Sequence, residues 1–381
     1  MRVANIIEDG RLAGPQIRMV MVAFAIKDKV DTTIIMPRSN SEDFQKICND
    51  KGVNYKIMPI SRITKELRVA LRYIFFSFFE VVNMAIYLKK ENFDMVHISG
   101  GSWQYKGLIA SKLAGLKTLW HINDTYSPSF IRRIFSKLSK YSDSYIFASE
   151  RSKYYYKKMI DLDRLSFVIP APVDTNVFRS DNECIINNEM IVSLGDDFII
   201  GIVANINPIK GLENFIRMAD KLNSLTDNIR FVVIGPVYKS QKKYFNRLKF
   251  LCDTLNIRNI EFIGGKVDIR PFLKRFNVYV CSSLAESSPI SVWEAMSMGK
   301  PIVSTDVGDV PLYVTNDKNG YIFDIDDHMG FARKINLLKE NKALLKNFGL
   351  ISRSIAKNNL DIAICAKKHL VAYETVLNYK Q

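Results

Sequence analysis

The stretch Cys281-Ser-Ser-Leu-Ala-Glu286-Ser-Ser-Pro-Ile-Ser-Val-Trp-Glu294-Ala-Met-Ser-Met-Gly299-Lys-Pro301 decides the fold of the second half of the chain. It lies between two apolar runs, Val278–Cys281 and Pro301–Thr305, which are typical of buried strands. Within it, Ser288 is a good N-cap and Gly299 a good C-cap for a short helix. The order strand, loop, helix, strand predicts a βαβ unit in a parallel sheet.

The same alternation extends in both directions from this stretch. In the second half, apolar runs predict strands and periodic segments predict helices between them. These strands are Phe198–Ala204, Arg230–Ile234, Ile260–Ile263 and Tyr321–Asp324, and the helices are Leu212–Leu222, Tyr244–Leu255 and Pro271–Phe276. The first half predicts the strands Arg2–Ile7, Thr32–Met36, Tyr55–Ile60, Met95–Ile98, Lys117–Ile122, Ser144–Ala148 and Ser166–Ile169, with the helices Gln16–Ile26, Glu42–Asn49, Gly107–Leu113 and Phe130–Leu138.

Two doubly wound sheets in succession predict an α/β protein with two Rossmann-like domains that face a central cleft. A length of 381 residues suits two domains. We expect a first domain over residues 1–178 and a second over 179–360, with the polar stretch 179–195 as the link. A C-terminal helix at about 361–381 is expected to pack back on the first domain.

The charge of the chain limits its partners without choosing one. Lys and Arg number 54 against 39 Asp and Glu, a net charge of +15, and the excess is larger in the first half. A basic face suits nucleic acid, anionic lipid or an anionic substrate, and a well-solvated lysine-rich surface explains it equally well. The five cysteines are scattered without a CxxC pair, and the N-terminus lacks a secretory signal. We therefore expect a cytoplasmic protein.

Two charged residues stand at positions where a ligand would explain them. Glu294 lies among apolar neighbours, which is costly unless a sugar hydroxyl pair or an internal salt bridge satisfies the carboxylate. Lys210 stands at a helix start, where the helix dipole disfavours a cation unless an anionic ligand is present. An ordinary surface lysine remains the alternative for Lys210.

Together these segments resemble glycosyltransferase family 4, a group with the GT-B fold. The motifs are Lys210-Gly211, Glu286 and Glu294 at a Glu-x7-Glu spacing, Gly308-Asp-Val-Pro311, and Pro170-Ala-Pro-Val-Asp174-Thr-Asn-Val-Phe178. The resemblance implies a retaining, nucleotide-sugar-dependent glycosyltransferase that needs no metal and no cofactor. One departure is Asn205, where family members usually carry Arg.

The resemblance also implies roles for individual residues. Lys210 is expected to neutralise the diphosphate of the donor, Glu286 to hold the transferred sugar and Glu294 to hold the ribose hydroxyls. His121 is expected to contact the transferred sugar and to join Lys210 and Glu286 in catalysis. The remaining donor-site residues are expected to be Gly14, Asn205, Gly264, Gly265, Lys266, Ser287, Ser288, Pro289 and Ile290, and the acceptor side to include Arg18, Asn123 and Asp124.

The segment Arg62–Lys90 is unusually aromatic and is interrupted by charged residues, so it should not span a bilayer. It is either a core helix or an interfacial one. Basic residues accompany tyrosines in Arg151–Lys158, a combination that suits anionic headgroups. We expect the protein to be peripheral at the cytoplasmic face of the cell membrane.

The leading hypothesis is transfer of a sugar from a UDP- or GDP-linked donor to a lipid-linked or glycan acceptor. The expected setting is bacterial surface polysaccharide biosynthesis, such as O-antigen, lipopolysaccharide or capsule. Three alternatives remain: a GT-B-type nucleotide-sugar 2-epimerase, a non-enzymatic protein that binds nucleic acid or membrane through its basic surface, and a catalytically silent subunit. No nucleic-acid partner is expected, because no nucleic-acid-binding module is recognisable.

Overall fold

The computed structural model describes residues 1–62, 67–161, 163–181 and 197–379, without the side chains of 67–72 and 74. The chain divides into two compact units. Residues 1–172 and 362–381 form the first unit, and residues 173–361 form the second. Most of the stretch expected to link the domains, residues 182–196, lies outside the described residues.

The first unit is a seven-stranded parallel sheet of order β3-β2-β1-β4-β5-β6-β7, with helices on both faces. Its strands are β1 Arg2–Ile6, β2 Asp31–Pro37, β3 Asn54–Met58, β4 Met95–Ile98, β5 Lys117–Ile122, β6 Ser144–Phe147 and β7 Leu165–Val168. Its first six helices are α1 Gly14–Ala25, α2 Glu42–Lys51, α3 Leu67–Lys90, α4 Tyr105–Leu113, α5 Ser129–Leu138 and α6 Glu150–Tyr156.

The second unit is a six-stranded parallel sheet of order β10-β9-β8-β11-β12-β13. Its strands are β8 Phe198–Val203, β9 Ile229–Ile234, β10 Ile260–Gly264, β11 Val278–Cys281, β12 Ile302–Thr305 and β13 Gly320–Phe323. Its helices are α7 Leu212–Asn223, α8 Lys242–Thr254, α9 Arg270–Arg275, α10 Ile290–Ser297, α11 Val310–Tyr313, α12 His328–Glu340 and α13 Lys342–Ile355.

Alternate residues of each strand pack on opposite faces of its sheet, and this explains where the cores lie. In the first unit, α3, α4, α5 and α6 cover one face, with Leu88, Leu108 and Phe135 packed in the same cluster as Trp120. The other face is covered by α1, α2 and a last helix, α14 Ile362–Asn378. The sequence prediction of two Rossmann-like α/β domains is therefore confirmed.

Residues 173–178 belong to the second unit, whereas the sequence boundary was placed after Phe178. The reason is a set of hydrogen bonds made by residues from the far end of that unit. Arg353 donates to the carbonyl oxygens of Thr175 (2.7 Å) and Phe178 (2.8 Å), and Ser297 Oγ donates to Phe178 O (2.6 Å). Asp361 accepts from Thr175 as well.

The helix predicted after Glu286 begins one residue later than a Ser288 N-cap implies. Helix α10 starts at Ile290 with Pro289 as its N-cap residue, so the assignment of Ser288 as the N-cap was wrong. Trp293 Nε1 donates to Ser288 Oγ at 3.0 Å, which ties this hydroxyl to the buried indole. Gly299 follows the helix with φ of 71°, the left-handed conformation expected just past a C-cap.

A buried ion pair fixes helix α3 to the first unit. Lys106 on α4 donates through Nζ to Glu80 on α3, and to the carbonyl oxygen and Oγ of Ser61, both at 2.7 Å. The side chains of Lys106 and Glu80 are 2% and 10% exposed. Glu8, in the loop after β1, accepts a hydrogen bond from the backbone N–H of Lys106 at 2.9 Å. Helix α3 is thus joined to the carboxyl edge of the sheet.

We expect Lys106→Met to destabilise the first unit by about 3–5 kcal/mol, because it leaves the Glu80 carboxylate buried without its cation. The matched control is Lys112→Met, on the same helix, whose pair with Asp143 is more exposed and is expected to contribute under about 1 kcal/mol. Urea unfolding followed by hydrogen exchange in peptides of the first unit measures both. Equal effects of the two substitutions would show that the buried pair does not fix α3.

Candidate functional site

The carboxyl edge of the second sheet has a point where the strand order reverses. Strands β9 and β10 extend the sheet from β8 in one direction, and β11, β12 and β13 extend it in the other. The loops after β8 and β11 therefore leave the same edge on neighbouring strands. In open α/β sheets this reversal point is where ligands bind.

These two loops are held together by backbone contacts. Leu284 N donates to Ile209 O at 2.8 Å, and Ser282 Oγ donates to Lys210 O at 3.2 Å. Gly211 has φ of 58°, and a Cβ atom at this position would lie 2.0 Å from Ser282 O. The glycine after Lys210 is therefore required both by its conformation and by the close approach of the second loop.

Lys210 and Glu286 form an ion pair across the reversal point, with Nζ 2.6 Å from Oε1. Ser283 Oγ donates to the same carboxylate oxygen at 2.8 Å. Burial lowers the pKa of Lys210, but the attraction and hydrogen bond to Glu286 outweigh it, so the pKa of Lys210 is raised. The structure thus brings together two residues that the sequence predicted to share one donor site.

Glu294 lies on α10 between residues that are fully buried: Val292, Trp293, Ala295 and Met296. Its own side chain is partly exposed, and it has no hydrogen-bond or ion-pair partner among the described residues. The internal salt bridge considered from sequence is therefore absent from the described part of the chain. Burial raises the pKa of Glu294 to about 8. A desolvated carboxyl group without a protein partner is a candidate ligand-binding group.

The turn before α10 is clamped by the loop after β12. Asp309 N donates to Ser287 O at 3.0 Å, and a Cβ at Gly308 would lie 2.2 Å from that same oxygen. Gly308 has φ of 52°, so a side chain there would be strained as well as crowded. This contact fixes the segment Ser287–Ile290 at the start of α10.

The remaining donor-side predictions also lie at this carboxyl edge. Asn205 follows β8, is partly exposed, and makes no side-chain hydrogen bond to the described residues. Gly264 ends β10 with φ of 77°, and its carbonyl oxygen accepts from Gly235 N at 3.0 Å. Gly265 follows it, and Lys266 places its ammonium group 5.8 Å from the centre of the Phe272 ring.

Sequence reasoning missed Gly235, which follows β9. A Cβ at Gly235 would lie 1.9 Å from Ala204 O, so this glycine permits the close passage of the loops after β8 and β9. Its position directly after the strand run Arg230–Ile234 was the available signal.

Four residues of the first unit that were predicted to contact the sugar or the acceptor form two pairs, one buried in the core and one at the carboxyl edge of the sheet. His121 on β5 and Arg18 on α1 are fully buried, and Arg18 Nη1 contacts His121 Nδ1. Asn123 and Asp124 follow the end of β5 at the carboxyl edge and are partly exposed. The guanidinium group of Arg18 is therefore enclosed within the first unit, whereas the sequence assigned it to the acceptor side.

Asp124 is held by the loop after β4. Ser102 Oγ donates to Asp124 Oδ2 at 2.9 Å, and a Cβ at Gly101 would lie 3.4 Å from Asp124 Cγ. Asp124 Oδ1 and Asn123 Nδ2 are buried and have no hydrogen-bond partner among the described residues. Burial raises the pKa of Asp124 to about 6, although the hydrogen bond from Ser102 opposes the shift. This loop was not predicted from the sequence, although the pair Gly100-Gly101 after the end of β4 was a signal for it.

Gly14 is the first residue of α1, so it follows the loop from β1 at the same edge.

Within the ranges 1–62, 67–161, 163–181 and 197–379, no group of three or more His, Cys, Asp or Glu side chains could hold a metal ion. The described helices also include none that is long and apolar enough to cross a membrane.

Residues 188–354 match the family model of glycosyl transferases group 1. This span contains the reversal point with Lys210, Glu286 and Glu294, and it belongs to that family. The chain is a glycosyltransferase with the GT-B fold of two Rossmann-like domains.

Two relatives cover most of the chain. It is 25% identical over 272 residues to UDP-Gal:alpha-D-GlcNAc-diphosphoundecaprenol alpha-1,3-galactosyltransferase of Escherichia coli, covering 68% of this chain and 69% of that protein. It is 22% identical over 377 residues to N,N'-diacetylbacillosaminyl-diphospho-undecaprenol alpha-1,3-N-acetylgalactosaminyltransferase of Campylobacter jejuni, covering 93% of each.

Solved structures show the same fold. Anabaena Alr3699/HepE in complex with UDP matches with a TM-score of 0.83 at 17% identity, over 98% of this chain and 100% of that one. A glycosyltransferase from Rickettsia africae matches with a TM-score of 0.81 at 18% identity, over 100% of this chain and 99% of that one.

We expect Glu294→Gln to raise the thermal unfolding midpoint of the second unit, and the gain to grow as pH rises from about 5 to about 8. In the folded protein the pKa of Glu294 is raised to about 8, so as pH rises this carboxyl group ionises in the unfolded chain before it ionises in the folded one. The free energy of unfolding therefore falls as pH rises across this window. Glutamine at position 294 cannot ionise, so the variant does not lose this stability. Calorimetry at several pH values measures the midpoints. Glu340→Gln, at an exposed position of α12, is the control, and a pH-independent gain at Glu294 would contradict the assignment.

Proposed function

We propose that this glycosyltransferase moves a sugar from a nucleotide-sugar donor to a lipid-linked or glycan acceptor, with retention of the anomeric configuration. The setting we propose is bacterial surface polysaccharide biosynthesis. The observation that carries the donor assignment is Glu294, a desolvated carboxyl group on α10 without a hydrogen-bond or ion-pair partner among the described residues, on the helix that follows the Glu286 loop. The two relatives named above both act on diphosphoundecaprenol-linked acceptors, which supports the lipid-linked class.

In this proposal the donor rearranges the ion pair. The diphosphate takes the place of Glu286 beside Lys210, and the freed carboxylate then accepts hydrogen bonds from the transferred sugar. Glu294 accepts from the ribose hydroxyls, and the backbone of Ser287–Ile290 lies along the phosphate and sugar. Gly14, Asn205, Gly264, Gly265 and Lys266 complete the donor site, and His121 contacts the sugar.

The reaction breaks the bond between the anomeric carbon and the diphosphate oxygen and forms a bond to the acceptor oxygen. The proton of the acceptor hydroxyl passes to the leaving diphosphate. Lys210 stabilises the negative charge that develops on that leaving group, an electrostatic contribution that requires no protein nucleophile. Asn123 and Asp124 are the acceptor-side groups, because they lie at the carboxyl edge of the first sheet with unsatisfied polar atoms.

The UDP complex of the Anabaena protein and the UDP-sugar named in the Escherichia coli relative favour UDP over GDP as the donor nucleotide. Neither protein decides the base here, so both nucleotides belong in the first test.

At a pH above the value of about 8 to which the pKa of Glu294 is raised, where its carboxylate is ionised, we expect the protein to bind UDP and Glu294→Gln to weaken that binding by about 10- to 100-fold, because charge-assisted hydrogen bonds to the ribose are lost. Calorimetry with UDP and GDP, on the wild type, Glu294→Gln and the exposed control Glu340→Gln, measures this. A parallel incubation with UDP-N-acetylglucosamine and a diphosphoundecaprenol-linked sugar tests transfer. Conversion of the sugar nucleotide to its 2-epimer would support the epimerase instead, and absence of nucleotide binding would refute the donor site.

We also propose that the first unit docks on the cytoplasmic face of the membrane through α3. Phe75, Phe76, Phe78 and Phe79 on this helix are 76%, 51%, 71% and 69% exposed, while Met84 and Leu88 are buried in the core. Helix α3 therefore has a core face and an exposed aromatic face, and the exposed face supports an interfacial role.

Exposed basic residues lie on helices that cover the same side of the first sheet as this aromatic face. Helices α5 and α6 pack on that side with α3. Exposed cations there are Arg132, Arg133, Lys137, Lys140, Lys157 and Lys158. Aromatic rings beside cations suit the interface of a membrane that contains anionic lipid.

We expect the triple variant Phe75→Ser, Phe76→Ser and Phe79→Ser to lose most of its co-sedimentation with vesicles of phosphatidylglycerol and phosphatidylethanolamine. The control is Phe250→Ser, a ring on α8 of the second unit with the same high exposure, 71%. Wild-type binding should also weaken as salt increases, since screening reduces the attraction of the lysines and arginines. Failure of the wild type to co-sediment at low salt would exclude the docking proposal.

A further inference from the structure

Three of the four histidines of the chain lie in one buried cluster of the first unit. His97 on β4, His121 on β5 and His369 on α14 have ring centroids 5.4–6.0 Å apart. All three are fully buried, and Arg18 and Tyr373 complete the cluster from α1 and α14. The cluster therefore lies between the sheet and the two helices that cover this face.

The hydrogen-bond chemistry of Arg18 fixes the proton position on His121. A guanidinium group only donates, so the Nδ1 atom of His121 that it contacts must accept. His121 is therefore neutral and carries its proton on Nε2. Arg18 has no carboxylate partner within the described residues, which keeps a positive charge facing this ring.

The contacts of His97 determine which of its ring nitrogens carries the proton. Its Nε2 atom lies 3.2 Å from His121 Nδ1, and lone pairs on both atoms would repel each other. His97 therefore carries its proton on Nε2 and shares the single lone pair of His121 Nδ1 with Arg18. His97 Nδ1 is then an acceptor, and the Tyr373 hydroxyl lies 2.8 Å away to donate to it. A single order of donors satisfies these contacts, from Tyr373 to His97 and from His97 and Arg18 to His121.

Burial and the charge of Arg18 oppose protonation of all three imidazoles, and they outweigh the hydrogen bond to the Cys365 carbonyl, which raises the pKa of His369. Burial, followed by the charge of Arg18, lowers the pKa of His97 and of His121 well below the usual range. The same two causes lower the pKa of His369 to about 3. His369 Nδ1 lies 2.8 Å from the Cys365 carbonyl oxygen, so it must donate there and cannot supply a proton to His121.

The cluster is connected to the proposed acceptor edge. Arg18 Nη2 donates to Ser99 Oγ at 3.1 Å, and Ser99 directly precedes the Gly100–Ser102 loop that holds Asp124. His121 lies on β5 just before Asn123 and Asp124. The Nε2 atom of His121 is buried without a partner in the described chain. An unsatisfied buried N–H is costly, and a ligand oxygen that reached it would remove that cost.

We propose that Arg18, His97 and Tyr373 are positioning residues that hold His121 as the neutral Nε2–H tautomer. His121 then acts as a fixed hydrogen-bond donor towards the sugar and not as an acid or base, and α14 is part of the acceptor half of the site. The catalytic consequence rests on the proposed function, whereas the tautomer does not.

The tautomer is tested by ¹⁵N NMR of histidine side chains in the full-length protein, with the His121 signal assigned from its loss in His121→Gln. We expect one neutral ring protonated at Nε2 that does not titrate between about pH 5 and pH 9. Arg18→Lys should keep this signature because an ammonium group also only donates. A signal from the Nδ1–H tautomer, or titration of His121 in this range, would overturn the inference.

The effect of the His121 tautomer on sugar transfer is tested with Tyr373→Phe, which removes one hydroxyl and keeps the ring. We expect about a 3- to 10-fold lower kcat, an unchanged KM for the nucleotide sugar, and a second tautomer in the spectrum. Tyr379→Phe, at the more exposed end of the same segment, is the control. An unchanged kcat and spectrum would refute the positioning role. Absence of transfer by the wild type would refute the proposed function and leave the tautomer result standing.

Discussion

The ion pair between Lys210 and Glu286 is the interaction on which the second unit's carboxyl edge depends. It joins loops from two neighbouring strands at the reversal of strand order, and each charge is partly shielded from water. A shielded charge is costly without a partner. Lys210 and Glu286 can therefore separate only when another charged or polar group takes the place of the lost partner. An anionic ligand meets this condition for the lysine, which links occupancy of the site to a rearrangement of its own residues.

The two units use the same sheet architecture, and each combines polar groups that have protein partners with polar groups that lack them among the described residues. At the second sheet, Glu294 and Asn205 remain without protein partners in the described residues, as expected for groups that meet a ligand. At the first sheet, Arg18 is enclosed by two helices and its hydrogen bonds go to other side chains. The first unit also has buried polar atoms without a partner in the described chain, on Asn123, Asp124 and His121, so both sheets present groups that a ligand can satisfy.

The sequence predicted the fold and the proximity of Lys210 and Glu286 because both depend on local signals. Strand ends locate the loops, and Lys210, Glu286 and Glu294 all follow strand ends in a fixed order. The histidine cluster was not predictable in this way, because His97 and His369 are distant in sequence and nothing local indicates that they meet. The position of Arg18 depends on the same long-range packing. The boundary near residue 173 was missed because Arg353 fixes it from the far end of the second unit.

Helix α14 has a consequence for the order in which the protein is made. It supplies Cys365, Leu370, Tyr373 and Val376 to a core of the first unit whose other residues include Val3, Met95 and Leu119. A ribosome synthesises residues 362–378 only after the whole second unit. The N-terminal sheet therefore waits through the synthesis of the second unit with one face incompletely covered. During that interval the exposed apolar face is a site where a chaperone could bind the nascent chain.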